Sequence, residues 1–132
     1  MSTIHQFPEK LAVLKLASGA EVPAWAESSS LFSVTATAGE TSLVCAGRSV
    51  PTKIPGDRGL IGFTLVGEVG SRVPSPAGVL VELLTPLAEE GIAVHTITTF
   101  STVWVLVPVT EVERATEAWR RRGHTVAPAP VA

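Results

Sequence analysis

The chain has 132 residues, 45% of them hydrophobic and 17% charged, which supplies material for a core and little of the composition of disorder. A net charge of -2 argues against a nucleic-acid partner, and no apolar run reaches the ~18 residues that a membrane-spanning helix needs. The single cysteine, Cys45, excludes an internal disulfide and cannot build a zinc site alone. MSTIHQFPEK lacks the basic flank and apolar stretch of a signal peptide, so the cytoplasm is the expected compartment.

Leu11–Leu16 reads as a buried strand that Ser18-Gly19 stops. Val22–Ala26 contains Pro23 and allows one helical turn at most, and Ser28–Ser30 is a polar loop. Leu31–Thr37 and Thr41–Ala46 are strands joined by Ala38-Gly39-Glu40, a connection of hairpin length. Arg48–Gly62 holds turn signals at Pro51, Pro55-Gly56 and Gly59, and Phe63–Val69 is the next strand. Gly70–Pro76 is a loop.

A helix then starts near Ser75–Ala77, with Leu80, Leu83, Leu84 and Leu87 forming one apolar stripe. Pro86 removes a ladder hydrogen bond and should kink it near Leu83–Thr85, and Gly91 suits the residue just past its end. Strands Ile92–Thr98 and Thr102–Val109 follow. Thr110 and Glu113 have capping-box spacing for a last helix whose apolar face is Val112, Ala115, Ala118 and Trp119. Gly123 ends it, His124–Ala127 forms a short final strand, and the Pro-Ala-Pro tail is loose.

From Phe63 onward the order is strand–helix–strand–strand–helix–strand: an α+β, ferredoxin-like βαββαβ unit with both helices on one face of an antiparallel sheet. Leu11–Val69 reads as a degenerate copy of that unit, on element order rather than residue identity.

Several segments carry a family resemblance across roughly Leu11 to Val126. They are Leu31-Phe32-Ser33-Val34 with Glu40–Cys45; Gly78-Val79-Leu80, Pro86–Glu89 and Gly91-Ile92; and Thr98-Thr99-Phe100 with Leu106-Val107-Pro108. Together they resemble the tandem-ACT group of ACT-domain proteins, which includes CASTOR-type arginine sensors and small bacterial relatives. The resemblance implies a degenerate ACT-like half over residues 1–62, an ACT domain over 63–127 and a flexible tail over 128–132. It also implies an amino acid held at an ACT–ACT interface, against the loop before the first ACT helix and the start of the strands that follow. The matching residues are Val73, Ser75, Pro76, Ala77 and Gly78; Ile92, Ala93 and Val94; and Thr98, Thr99, Phe100, Ser101 and Thr102.

The residue types fit that chemistry. A loop leading into a helix offers free N–H groups and positive potential for a carboxylate, at Ser75–Gly78. Carbonyls and hydroxyls around Thr98–Ser101 would accept from the ammonium, and Phe100 would wall the side-chain pocket. Two positions depart from the resemblance. Val103 stands where family members commonly carry aspartate, and Pro76 stands where the arginine-sensing branch has glutamate. Neither pairs with a cation, so the expected ligand is a neutral or apolar amino acid.

Bland alternatives attach to each residue. Thr98–Thr102 is equally a polar turn between strands, and Ser75 a plain helix N-cap. His5, His95 and His124 have no metal-ligand spacing, so no metal or cofactor is expected. Trp25, Trp104 and Trp119 read as core or interface anchors, and Cys45 as a small buried hydrophobe.

A non-enzymatic sensor is therefore the leading expectation. The apolar faces of Val103–Val109 argue for a homodimer, and a downstream protein partner is a further expectation. The alternative is a ligand-independent interaction or structural module with a decayed site. A small enzyme comes third, since no acid–base pair, metal cluster or activated nucleophile is evident.

Overall fold

The computed structural model describes residues 3–65 and 76–130. They form nine principal elements: β1 (Thr3–Leu16), β2 (Ser33–Ala36), β3 (Thr41–Ala46), β4 (Gly56–Leu65), α1 (Pro76–Glu89), β5 (His95–Thr98), β6 (Val103–Pro108), α2 (Val112–Arg121) and β7 (Thr125–Pro128). The chain divides into two compact units, one of Glu9–Leu60 and one of Met1–Pro8 with Ile61–Ala132.

In the Glu9–Leu60 unit the alternation of Ala12, Leu14 and Leu16 sends one side of β1 into an apolar cluster. Antiparallel pairing sets Ala12 opposite Cys45 and Leu14 opposite Leu43, and β2 continues the sheet with Val34 opposite Leu43. Val50 completes the cluster, and Trp25, Ala26 and Ile54 pack against it. Gly56, where β4 begins, is required by space and by conformation. Its φ is +156°, and a Cβ there would lie 2.3 Å from the Val13 carbonyl oxygen.

In the other unit the hydrogen-bonded order is β1-β4-β6-β5, with β7 on β1. From β4 onward the elements run βαββαβ, the ferredoxin-like order expected. Odd-numbered residues of the strands (Ile61, Phe63, Val103, Val105, Val107) meet Leu83 and Leu87 of α1 and Ala115, Ala118 and Trp119 of α2 in one buried cluster. Period-2 strands and 3.6-period helices thus share one interior. Phe63 and Trp119 touch edge to face at 4.9 Å.

Both helices end alike. Gly91 has φ +70°; its N–H donates to the Ala88 carbonyl and the Ile92 N–H to that of Leu87. Gly123, Arg120, His124 and Trp119 repeat the pattern. These are Schellman endings, each satisfying two orphan carbonyls. Within α1, the Trp119 indole N–H donates to the Leu83 carbonyl at 2.9 Å, in the turn that Pro86 perturbs.

Several expectations are corrected. Strand β1 starts at Thr3 rather than Leu11, and its first residues, Thr3–Gln6, pair in parallel with Thr125–Pro128 of β7. Its polar sequence gives no local signal, because the pairing partner lies at the other end of the chain. Strand β4 starts at Gly56 rather than Phe63, and β5 at His95 rather than Ile92. The Thr110–Glu113 capping box does not form. A 3-10 turn over Val109–Glu111 precedes α2, whose N-cap is Glu111 with no side-chain cap bond. Both faces of β6 are buried within a single chain: Trp104 and Leu106 lie over Gly62, and Trp104 stacks on Phe7 at 4.8 Å. A two-faced strand therefore does not itself require a second copy. The expected strand residues 66–69 and the loop 70–75 lie outside the described residues.

Candidate functional site

The candidate residues fall in three places. Pro76, Ala77 and Gly78 form the first turn of α1, where backbone N–H groups have no partner inside the helix. Ala77 and Gly78 are exposed. Val73 and Ser75 lie outside the described residues. Ile92, Ala93 and Val94 link α1 to β5; Ile92 is buried in the core against Leu87, Ala93 is exposed and Val94 half-buried. Thr98–Thr102 makes the β5–β6 turn. A helix crossing over between two strands of one sheet runs back along it, so the first turn of α1 and the β5–β6 turn come to the same end.

The turn is well bonded within itself. Thr99 N–H donates to the Thr102 carbonyl at 2.8 Å, and Thr102 N–H to Thr99 Oγ1 at 3.1 Å. The two threonine hydroxyls share a hydrogen bond of 2.5 Å. Thr98 and Thr99 are exposed, Ser101 and Thr102 half-buried, and Phe100 stands 68% exposed at the tip. The Thr99 hydroxyl and the Thr102 amide thus serve the turn, while exposed Thr98 and the Phe100 ring face outward. Val103, which follows, is 1% exposed in the helix-side core. An aspartate at that position would be a buried charge, whereas valine is plain packing.

Two cavities in this unit lie elsewhere. One of 330 Å³ is lined by Gln6, Phe7, Pro8, Pro128 and Ala129. The other, of 650 Å³, runs along α2 past Glu113, Glu117 and Arg120. None of the candidate residues lines either. Among the described residues no cluster of three or more His, Cys, Asp and Glu is placed to hold a metal. No helix there is long and apolar enough to cross a membrane. His124, the residue after Gly123, is buried with Nε2 3.5 Å from a Glu82 carboxylate oxygen; among the described residues its Nδ1 has no hydrogen-bond partner.

One polar constellation was illegible in the sequence. Glu9 of β1 is surrounded by Ser28, Ser29, Ser30 and Arg48, residues 19 to 39 positions away. Ser28–Ser30 alone reads as an ordinary polar loop, and no local pattern links it to Glu9.

Residues 57–121 match the family model of the ACT domain. A second model, described as an N-terminal domain, matches residues 9–53. No functionally curated protein matches the chain. Among solved structures, a protein from Agobacterium tumefaciens is 22% identical with a TM-score of 0.86, the match covering 98% of this chain and 95% of that one. The ligand-free regulatory subunit of aspartate kinase from Thermus thermophilus is 12% identical at a TM-score of 0.55, covering 86% and 91%. The aspartate kinase of Clostridium acetobutylicum, described as an allosteric enzyme, is 13% identical at a TM-score of 0.62. That match covers 89% of this chain and 33% of the kinase. At these identities the likeness is one of fold.

Proposed function

We propose that this protein is a non-catalytic regulatory sensor of a small ligand, a neutral or apolar amino acid, bound where two ACT units of a homodimer meet. The observation that carries the reading is the ACT-domain match over residues 57–121, on a chain with the βαββαβ element order. Its likeness in fold to a regulatory subunit of aspartate kinase supports a regulatory rather than a catalytic role. The ligand carboxylate is received at the N–H groups of Ala77 and Gly78, and the ammonium by carbonyls of the Thr98–Ser101 turn. Buried Val103 leaves no counter-ion for a cationic side chain there. Ligand preference for one arrangement of the paired units over another is what passes the signal on, to a downstream protein in the cytoplasm.

The test is a thermal-shift screen of the twenty amino acids and related metabolites at millimolar concentration. A ligand at 100 times its dissociation constant stabilises by about 2.7 kcal/mol, a rise of several degrees. The expected hit is an uncharged amino acid, weakened by Gly78→Val. A best response to arginine or lysine contradicts the assignment of the ligand class.

A second reading has one observation in its favour. The Thr99–Thr102 bonds close the turn upon itself with its own donors and acceptors, as in a module that partners recognise directly. A flat screen favours that reading.

A further inference from the structure

The Glu9 carboxylate is enclosed by donors. Ser28 Oγ, Ser30 Oγ and the Ser30 N–H reach one oxygen at 2.7, 2.6 and 3.1 Å. Ser29 Oγ, the Ser29 N–H and Arg48 Nη1 reach the other at 2.7, 3.0 and 2.5 Å. The Glu9 side chain is only 8% exposed. Three consecutive hydroxyls, with the amides of Ser29 and Ser30, thus turn toward one planar anion, and a guanidinium closes the remaining side. Successive N–H groups converging on one point are how backbone builds an anion-binding concavity. A carboxylate on an open strand surface needs no such enclosure, since water satisfies it.

The receptor is also fastened. Arg48 Nε is held by Glu27 at 3.2 Å, the Glu27 carbonyl by Ala46 N–H at 2.8 Å, and the Trp25 carbonyl by Ser49 Oγ at 2.7 Å. Trp25 and Ala26 of the same loop pack on the cluster that contains Cys45, which is fully buried.

We propose that Ser28–Ser30 and Arg48 form a carboxylate receptor whose ligand is supplied by the chain's own Glu9, and which binds a free small carboxylate once that tether is cut. Tethering gives Glu9 an effective concentration that a free anion does not match, so the receptor is closed to outside anions in the intact chain. Occupancy holds the loop of Trp25–Ser30 down over Cys45. Glu9→Ala removes one methylene and the carboxylate beyond Cβ, which are the atoms acetate supplies. Acetamide has the same shape, but its NH₂ group would face donors and it carries no charge for Arg48.

The experiment uses Glu9→Ala in the full chain, with the labelling rate of Cys45 by a thiol reagent as readout. Charge-assisted bonds of this number predict labelling at least about tenfold faster than in the intact chain. Acetate slows it saturably toward the intact rate, whereas acetamide, and chloride at equal ionic strength, do not. Acetate leaves the intact chain unchanged, and leaves Glu9→Gln unchanged because its side chain still fills the receptor. If Glu9→Ala does not fold, the same titration is read as recovery of far-ultraviolet circular dichroism. No advantage of acetate over chloride in that readout, or an equal effect of acetate on Glu9→Gln, overturns the proposal.

Discussion

Single residues fix this molecule where backbone or charge comes close to something else. Burial alone would raise the Glu9 carboxyl, but the hydroxyls of Ser30, Ser29 and Ser28 and the Arg48 guanidinium outweigh it. Together they hold it far below its ordinary value of 4.5. A depressed carboxyl contributes stability that is fully present above its unfolded value and lost as pH falls through the folded one. The intact chain should therefore lose stability on acidification below about pH 4.5, and Glu9→Gln should flatten that slope in urea titrations run across pH. Burial pushes the Cys45 thiol up, so labelling there awaits opening of the loop. Gly62 is a different case. A Cβ there would lie 2.9 Å from Trp104 Cζ3, against a ring already stacked on Phe7. Gly62→Ala should cost about 1–3 kcal/mol, measured by chemical denaturation.

At the scale of elements, sequence signals succeeded where the physics is local. Gly91 and Gly123 announce helix ends because a positive φ at the residue past the last turn suits glycine above all others. The Thr41–Ala46 strand was legible to the residue because a connection of hairpin length with a glycine precedes its short run. The capping box failed because Pro108 leads into a 3-10 turn that takes up Thr110 before α2 begins. The first half of β1 was not legible at all, since its parallel partner is residues 125–128. The candidate site was half legible. Thr98–Thr102 was read both as ligand contact and as turn, and the turn bonds are what the structure shows. Glu9 and its serines were missed because their attraction acts across the fold. The α1–α2 contact has its own test. Trp119→Phe keeps most of the ring but leaves the Leu83 carbonyl without the indole N–H. It should lower stability by about 1–3 kcal/mol.

For the whole molecule, the question is whether the ACT-like unit is a receptor. Its two candidate segments, the first turn of α1 and the β5–β6 turn, share one end of the sheet, and Ala77, Gly78 and Thr98–Thr102 stay outside the buried core, whereas Ile92 and Val103 lie within it. Amide NMR of the full chain, titrated with pools of neutral amino acids, tests this most directly. The expected result is saturable shifts concentrated at Ala77, Gly78 and Thr98–Thr102, with the Glu9–Ser30 clasp undisturbed. Absence of shifts at those amides across every pool, or shifts confined to the cavity beside α2, would contradict the sensor reading.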